Sequence, residues 1–167
     1  MVSRACLESN SLNNFSISTD GLASALQRSA SALKTAGNNI DESIGLITAG
    51  NQVVQDPESV GAAMRTIALR LTGTSVAVQQ LQELGEETDG VVTTVSKLRD
   101  VIMSATKVAS NGFKGIDILD NNGNYRSTAS VLQDIADIYN EIEETDKKTK
   151  SNNVNLLLET IAGKNRA

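Results

Sequence analysis

Apolar residues recur along most of this chain at steps of three and four, which is the spacing of one helix face. The clearest stripe begins after Asp56-Pro57 and ends at Gly73. Asp can cap a helix, and Pro at the first helical position gives up no hydrogen bond, so a helix is predicted here. The apolar members of this stripe are Val60, Met64, Ile67 and Leu71.

Two further helices are predicted upstream of this stripe. The first has Ser18 as its cap and stops at Gly37, with Leu22, Leu26, Ser29 and Leu33 at steps of four, three and four between them. The second starts at Asn39, which stands three residues before Glu42 in the spacing of a capping box, and ends at Gly50.

Four further stripes predict the remaining helices, and the acidic run 86–89 indicates a solvated turn or the start of the next helix. The stripes are Val76, Leu81 and Leu84, ending at Gly85; Val91, Val95, Leu98 and Ile102; and Val131, Ile135, Ile138 and Ile142, capped by Ser127 or Thr128. A last stripe consists of Val154, Leu157, Leu158 and Ile161, ending at Gly163.

Residues 116–126 interrupt the helical spacing with a short alternation around Asn122-Gly123, which predicts a small β-hairpin. The expected fold is therefore all-α, a multi-helix bundle with short loops and this one hairpin. Residues 1–16 carry no sustained period and are expected to be irregular. Residues 17–167 form the helical region, either as one unit or as two sub-lobes, 17–110 and 111–167.

Composition removes most enzyme classes from consideration. The 167 residues include no His and one Cys, Cys6, so neither a His-based triad nor a multi-thiolate zinc site can be assembled. The net charge of −5 and the four aromatic residues disfavour nucleic-acid binding, and no apolar run approaches a membrane span. We expect no catalytic residue, no cofactor and no metal.

Several short motifs resemble ligand-binding sites and could contradict this expectation. Asp120-Asn121-Asn122-Gly123 resembles the middle of a calcium loop, but loop positions one and twelve would fall on Ile118 and Ala129, which carry no carboxylate. A turn whose side chains bond their own backbone explains the motif better. Gly112-Phe113-Lys114-Gly115 and residues 162–166 place Gly beside Lys, without the spacing of a phosphate-binding loop.

The remaining candidate functional residues are pairs of adjacent acids, one cysteine and a set of alanines. The pairs Asp41-Glu42, Glu86-Glu87 and Glu143-Glu144 are expected to be solvated, because adjacent residues diverge on a helix. Cys6 has no His partner that could activate its thiol. The alanines indicate either close approach between copies or an ordinary intramolecular core, and both readings stay open. They are Ala23, Ala25, Ala30, Ala32, Ala36, Ala62, Ala63 and Ala68.

Beyond these patterns, several strings in order from about Asn13 to Ala167 resemble the core region of bacteriophage tail tape measure proteins. The strings are 16–34 (SISTDGLASALQRSASALK), 43–51 (SIGLITAGN), 55–61 (QDPESVG), 65–71 (RTIALRL), 85–90 (GEETDG), 96–100 (SKLRD), 120–128 (DNNGNYRST) and 158–166 (LETIAGKNR).

The resemblance implies a structural protein of the virion that lies inside the tail tube and fixes tail length, made in the bacterial host cytoplasm. Its implied partners are tail tube and tail assembly proteins and copies of itself, with no cofactor, nucleic-acid contact or membrane contact in this segment. Met1 to Leu12 depart from the family pattern, and the chain stops where the family continues, so a fragment is expected. The alternative is a helical protein-binding adaptor of bacterial or prophage origin.

Overall fold

The computed structural model describes residues 17–164, within which seven α-helices follow one another. The predicted all-α class is confirmed. Cys6 and the segment predicted to be irregular, residues 1–16, lie outside the described residues. The helices are α1 (Thr19–Thr35), α2 (Ile40–Val54), α3 (Pro57–Thr72), α4 (Ser75–Glu83), α5 (Val95–Thr106), α6 (Thr128–Thr149) and α7 (Asn153–Ala162), and a 3-10 turn, Lys107–Ala109, follows α5.

Two of the predicted helix starts are confirmed by capping hydrogen bonds, whereas Asp56 precedes α3 as predicted but makes no side-chain capping bond. Ser18 Oγ accepts from the Gly21 N–H at 3.0 Å and so caps α1. At α2 the capping box is complete: Asn39 Oδ1 accepts from the Glu42 N–H, and Glu42 Oε2 accepts from the Asn39 N–H, both at 2.8 Å. These contacts satisfy N–H groups that have no partner inside the helix.

The predicted stop of α2 at Gly50 is wrong, because this helix continues to Val54. Gly50 serves packing instead, since a Cβ at this position would stand 2.8 Å from Val60 Cγ1. The residue before a proline is driven out of the helical region. Asp56, which precedes Pro57, is accordingly extended, with φ −135°, so α2 cannot continue through it.

Two predicted apolar faces are also corrected. Val91 precedes α5 rather than belonging to it, since Thr94 is the cap of that helix. In α4 the buried residues are Ala77 and Leu81, one turn apart, whereas Val76 and Leu84 remain exposed. An alanine, which the stripe did not count, therefore determines which side of α4 faces the core.

Helices α1 and α3 pack side by side and run parallel. Gly21 meets Pro57, and Gly61 meets Ala25, so the contacts follow the same order along both helices. A Cβ on Gly61 would lie 2.6 Å from the carbonyl oxygen of Ala25. The absence of a side chain at this position therefore permits the close approach of the two backbones.

Three buried apolar clusters hold the helices together. The largest joins α5, α6, α7 and the segment containing Ile116 and Ile118, with Leu71 of α3 inserted from the other side. A second cluster joins α1, α3 and α4, and a third joins α1, α2 and α3. Helix α3 thus contributes to all three, while the proposed division at residue 110 stays a prediction.

The β-hairpin predicted near 116–126 is wrong, because the described residues contain a single isolated antiparallel bridge, Leu119 with Tyr125. Two backbone hydrogen bonds flank the bridge, from Asp120 N–H to the Asn124 carbonyl oxygen at 2.8 Å and from Arg126 N–H to the Ile118 carbonyl oxygen at 2.9 Å, and the pairing goes no further because Ile116 N–H has a side-chain acceptor. Ile116 N–H donates to Thr106 Oγ1 at 2.8 Å, and Asp117 C=O accepts from the Arg126 guanidinium at 3.0 Å.

The turn between α1 and α2 contacts the beginning of α6. Asn38 Oδ1 accepts from the Ala129 N–H at 3.0 Å, and Ser127 Oγ donates to Glu42 Oε1 at 2.6 Å. Ser127 Oγ also caps α6 by accepting from the Ser130 N–H at 3.2 Å. These hydrogen bonds fix the N-terminus of the longest helix against the first two.

Candidate functional site

A groove of about 280 Å³ lies between α1, α3 and α4. It runs over the second apolar cluster, and its floor includes Ala32, Leu69 and Ala77, which are buried members of that cluster. The parallel α1–α3 pair and the short α4 form its walls.

The outer wall of the groove carries apolar side chains that the fold leaves in solvent. Val76 is 59% exposed and Leu84 is 44% exposed, although both belong to an apolar stripe of the sequence. Val76, Gln80 and Leu84 follow one another at intervals of four residues, which places all three on one side of α4. This side of α4 faces the groove rather than the core.

Two arginines line the groove, and each is paired with a glutamate. Arg28 of α1 pairs with Glu58 at 2.5 Å, and both side chains are largely exposed. Arg65 of α3 is mostly buried; its Nη2 lies 3.6 Å from Glu86 Oε1, and its Nε has no hydrogen-bond acceptor among the described residues. A separation of 3.6 Å is too long for a hydrogen bond, so Arg65 retains donor capacity.

Arg70 connects α3 to α7. Its side chain is 1% exposed, and it donates to the carbonyl oxygens of Glu87 at 2.8 Å, Asp89 at 3.3 Å and Glu159 at 3.3 Å. A guanidinium has five N–H donors in a fixed plane, which lets one residue join three backbone segments. The acidic run 86–89 is therefore a turn fixed by its main chain.

The calcium-like motif at Asp120 is a self-contained turn. Asp120 Oδ1 accepts from the N–H groups of Asn122 at 2.8 Å and Asn124 at 2.9 Å. The hydrogen bond from the Asn124 N–H is the main cause that lowers the pKa of Asp120. The carboxylate is thus occupied by its own backbone, and residues 17–164 contain no group of three or more His, Cys, Asp or Glu side chains suited to a metal.

Neither glycine–lysine motif forms a phosphate-binding loop in the described part of the chain. Gly115 lies against α5, since a Cβ there would stand 2.3 Å from the Met103 carbonyl oxygen. Gly163 ends α7 beside Arg70, whose Nη2 would lie 3.0 Å from an added Cβ. Lys114 and Lys164 are exposed, and Asn165 and Arg166 lie outside the described residues.

The paired acids point to separate partners. Glu42 caps α2, and Glu86 pairs with Arg65. In α6, Glu143 and Glu144 each meet the lysine four residues later, at 2.8 Å and 3.6 Å. No pair brings its two carboxylates to a common point through these contacts.

The alanines serve mainly the intramolecular core. Ala25, Ala32, Ala36 and Ala68 are buried between helices. Ala62 and Ala63 are partly exposed and line a shallow, uncharged depression next to Val54. Self-association through this face stays a prediction.

Sequence reasoning did not identify Arg65 and Arg70 as important residues. The available signal was their place in the string RTIALRL, where a charge recurs inside an apolar helix face. A buried charge in such a position needs several hydrogen-bond acceptors, so the string indicates a contact rather than a solvated surface.

Comparison with known proteins places the chain in a family. The family described as phage-related minor tail protein matches residues 9–156. No curated protein matches the chain, and no solved structure matches it. Within residues 17–164, no helix is both long and apolar enough to cross a membrane. Because the family match covers most of the 167 residues, the chain belongs to the phage-related minor tail protein family.

Proposed function

We propose that this chain is a structural segment of a tape measure protein, which sets the length of a phage tail and occupies the tail tube. The observation that carries the proposal is the family match over residues 9–156, together with the ordered strings that resemble the tape measure core. The segment acts without catalysis and without a cofactor. It is made in the host cytoplasm and ends in the virion tail, with tail tube and tail assembly proteins as partners.

The helical architecture suits a molecule that measures by its own length. An α-helix rises 1.5 Å per residue, so the distance that a helical segment spans is proportional to its residue number. The connections between the helices of the described region would allow the helices to be drawn into a longer array inside a tube. Tail length would then follow the number of residues in the gene.

The test is an in-frame duplication of residues 17–164 in the parent phage, with tail length measured by electron microscopy. If the added segment extends as helix, tails lengthen by roughly 220 Å. The matched control carries Gly45→Ala in an otherwise unchanged gene, since that exposed position has no neighbour within 4 Å. Assembled tails of unaltered length, or purified tails that lack the protein, would contradict the proposal.

The second candidate, a protein-binding adaptor, is favoured by the open groove between α1, α3 and α4. It predicts a stable host partner in cells without phage and no relation between residue number and tail length. The duplication experiment therefore separates the two functions.

A further inference from the structure

The described residues contain two Asn-Gly pairs, Asn111-Gly112 and Asn122-Gly123. In such a pair the main-chain nitrogen of the glycine can attack the side-chain carbonyl carbon of the asparagine, because glycine has no Cβ to hinder the approach. The two pairs stand in turns that hold the attacking nitrogen differently. We therefore expect them to react at different rates in the folded chain.

The turn at Asn111 leaves the attacking nitrogen free. The Phe113 N–H donates to the Ser110 carbonyl oxygen at 3.2 Å and closes a β-turn. Asn111 and Gly112 are its two central residues, both are exposed, and nothing lies within 4 Å of the Cβ position of Gly112. Neither the Gly112 N–H nor the Asn111 side chain has a hydrogen bond among the described residues. The two reacting groups can therefore meet without breaking another contact.

The second pair is held by Asp120. Here the Gly123 N–H, which belongs to the attacking nitrogen, donates to the Asp120 carbonyl oxygen at 3.0 Å. Asp120 Oδ1 also accepts from the Asn122 N–H at 2.8 Å, which fixes the main chain before the asparagine side chain. The Gly123 hydrogen bond has to break before this nitrogen can attack, and its loss adds to the barrier. Asn122 should therefore react more slowly than Asn111.

We propose that Asn111 is a site of spontaneous deamidation in the folded protein, with water as the co-reactant. The Gly112 nitrogen forms a bond to Asn111 Cγ, the Cγ–Nδ2 bond breaks, and the amide group leaves as ammonia with the proton that the Gly112 nitrogen loses. One water molecule then opens the resulting succinimide ring, giving its hydroxyl to a ring carbonyl carbon and its proton to the nitrogen. Cleavage at Cγ yields aspartate, and cleavage at the main-chain carbonyl carbon yields isoaspartate.

The fold should survive this modification. A neutral amide becomes a carboxylate, and isoaspartate also routes the main chain through the former side chain. Gly115 fixes the chain just beyond the turn, since a Cβ there would stand 2.3 Å from the Met103 carbonyl oxygen. Residues 110–114 are all exposed, so they can take up the longer main chain without disturbing the core. Acidic product should thus accumulate with time on chains that remain folded.

The experiment incubates the full chain in native buffer and, in parallel, in concentrated urea, at two pH values. Trypsin cleaves after Lys and Arg and so places the two pairs in separate peptides, 108–114 and 115–126. Mass spectrometry follows the conversion of amide to acid in each peptide, and fragmentation separates Asn122 from its neighbours Asn121 and Asn124.

In the folded chain Asn111 should convert about tenfold faster than Asn122, the factor expected from one hydrogen bond that has to break. Both rates should rise with pH, because the attacking nitrogen must lose its proton. In urea the two rates should converge, since neither turn persists there.

Two variants assign the reaction. Asn111→Gln should abolish conversion in peptide 108–114 and leave peptide 115–126 unchanged, because the longer side chain closes a less favourable ring. Asp120→Ala removes the side-chain acceptor of the second turn and should accelerate Asn122 without altering Asn111. Circular dichroism establishes that each variant is folded, and the comparison of native buffer with urea remains decisive if Asp120→Ala does not fold.

The inference is overturned if the folded chain converts Asn122 as fast as Asn111, or if Asn111 reacts in urea alone. A folded Asp120→Ala chain with an unchanged Asn122 rate would also contradict it. Tails whose length ignores the duplicated segment would remove the proposed function but leave this chemistry in place, so the two proposals fail separately.

Discussion

Asn38 Oδ1 accepts a hydrogen bond from the N–H of Ala129 at 3.0 Å, across 91 residues of sequence. The same side chain donates to the Leu33 carbonyl oxygen at 2.8 Å and is only 7% exposed. One buried amide therefore satisfies the end of α1 and the beginning of α6 together, and its loss should affect both.

Replacing this amide tests the connection. Asn38→Leu should lower the free energy of unfolding by about 2–3 kcal/mol, because it leaves a buried donor and a buried acceptor without partners. Urea denaturation measures the change. Asn155→Leu, at an exposed position of α7, is the control and should stay within about 0.5 kcal/mol of wild type. Equal effects of the two substitutions would show that the Asn38 contacts are dispensable.

A second prediction concerns two glycines inside helices. Gly61→Ala should destabilise by about 1–3 kcal/mol, because the new Cβ would meet the Ala25 backbone and force α1 and α3 apart. Gly45→Ala should instead stabilise by about 0.5–1 kcal/mol, since nothing lies within 4 Å and alanine favours a helix. Thermal unfolding of both variants gives the comparison, and shifts of the same sign would refute the packing argument.

The third prediction addresses Arg70. Arg70→Met should cost about 2–4 kcal/mol, because the carbonyl oxygens of Glu87, Asp89 and Glu159 lose their shared donor. Arg70→Lys keeps the charge but cannot reach three acceptors in one plane, so it should rescue only part of the loss. Hydrogen exchange should show faster opening of α7 in both variants.

A surface arginine supplies the comparison for Arg70. Arg28→Met removes the exposed pair with Glu58 and should cost no more than about 1 kcal/mol. If Arg70→Met were as mild, the three carbonyl contacts would not hold α7 in place.

Acid should weaken the connection between α6 and α7. Burial opposes ionisation of Asp146, but hydrogen bonds from the Val154 N–H, Ser151 and Asn153 outweigh it and lower the pKa of Asp146 below 3.8. Folding thus favours the carboxylate, so its stabilisation is complete above the unfolded pKa and is lost as pH falls through the folded one. Asp146→Asn should therefore cost most above the ordinary aspartate pKa of about 3.9 and progressively less as the pH falls below it. Urea unfolding across this range measures the difference, and a cost independent of pH would contradict the assignment.

Much of the helical framework could be predicted because its signals are local. The capping box of Asn39 and Glu42 and the Asp56-Pro57 start depend on residues a few positions apart. The helix stop predicted at Gly50 was wrong because glycine occurs both at helix ends and at places of close packing. Only the neighbour Val60, on another helix, decides between these uses.

The long-range contacts that join the helices could not be predicted, because they connect residues distant in sequence. Arg70 reaches Glu159 across 89 residues, and Asn38 reaches Ala129 across 91. The hairpin prediction failed for a similar reason, since Ile116 N–H donates to the Thr106 side chain, ten residues away, instead of extending the pairing of Leu119 with Tyr125. The local alternation of apolar and polar residues does not reveal which distant side chains will bond the backbone.

The absence of a side chain at Gly61 also determines how the α1–α3 pair responds to force. If either helix slid by one turn, a residue three or four positions from Gly61, such as Pro57 or Met64, would be brought toward the Ala25 carbonyl in its place, and a Cβ would collide with that backbone. The pair therefore has one tolerated register and resists stepwise shear along its axis. Pulling on the chain must first separate the two helices sideways, so this pair should yield in a single abrupt event rather than by gradual slippage.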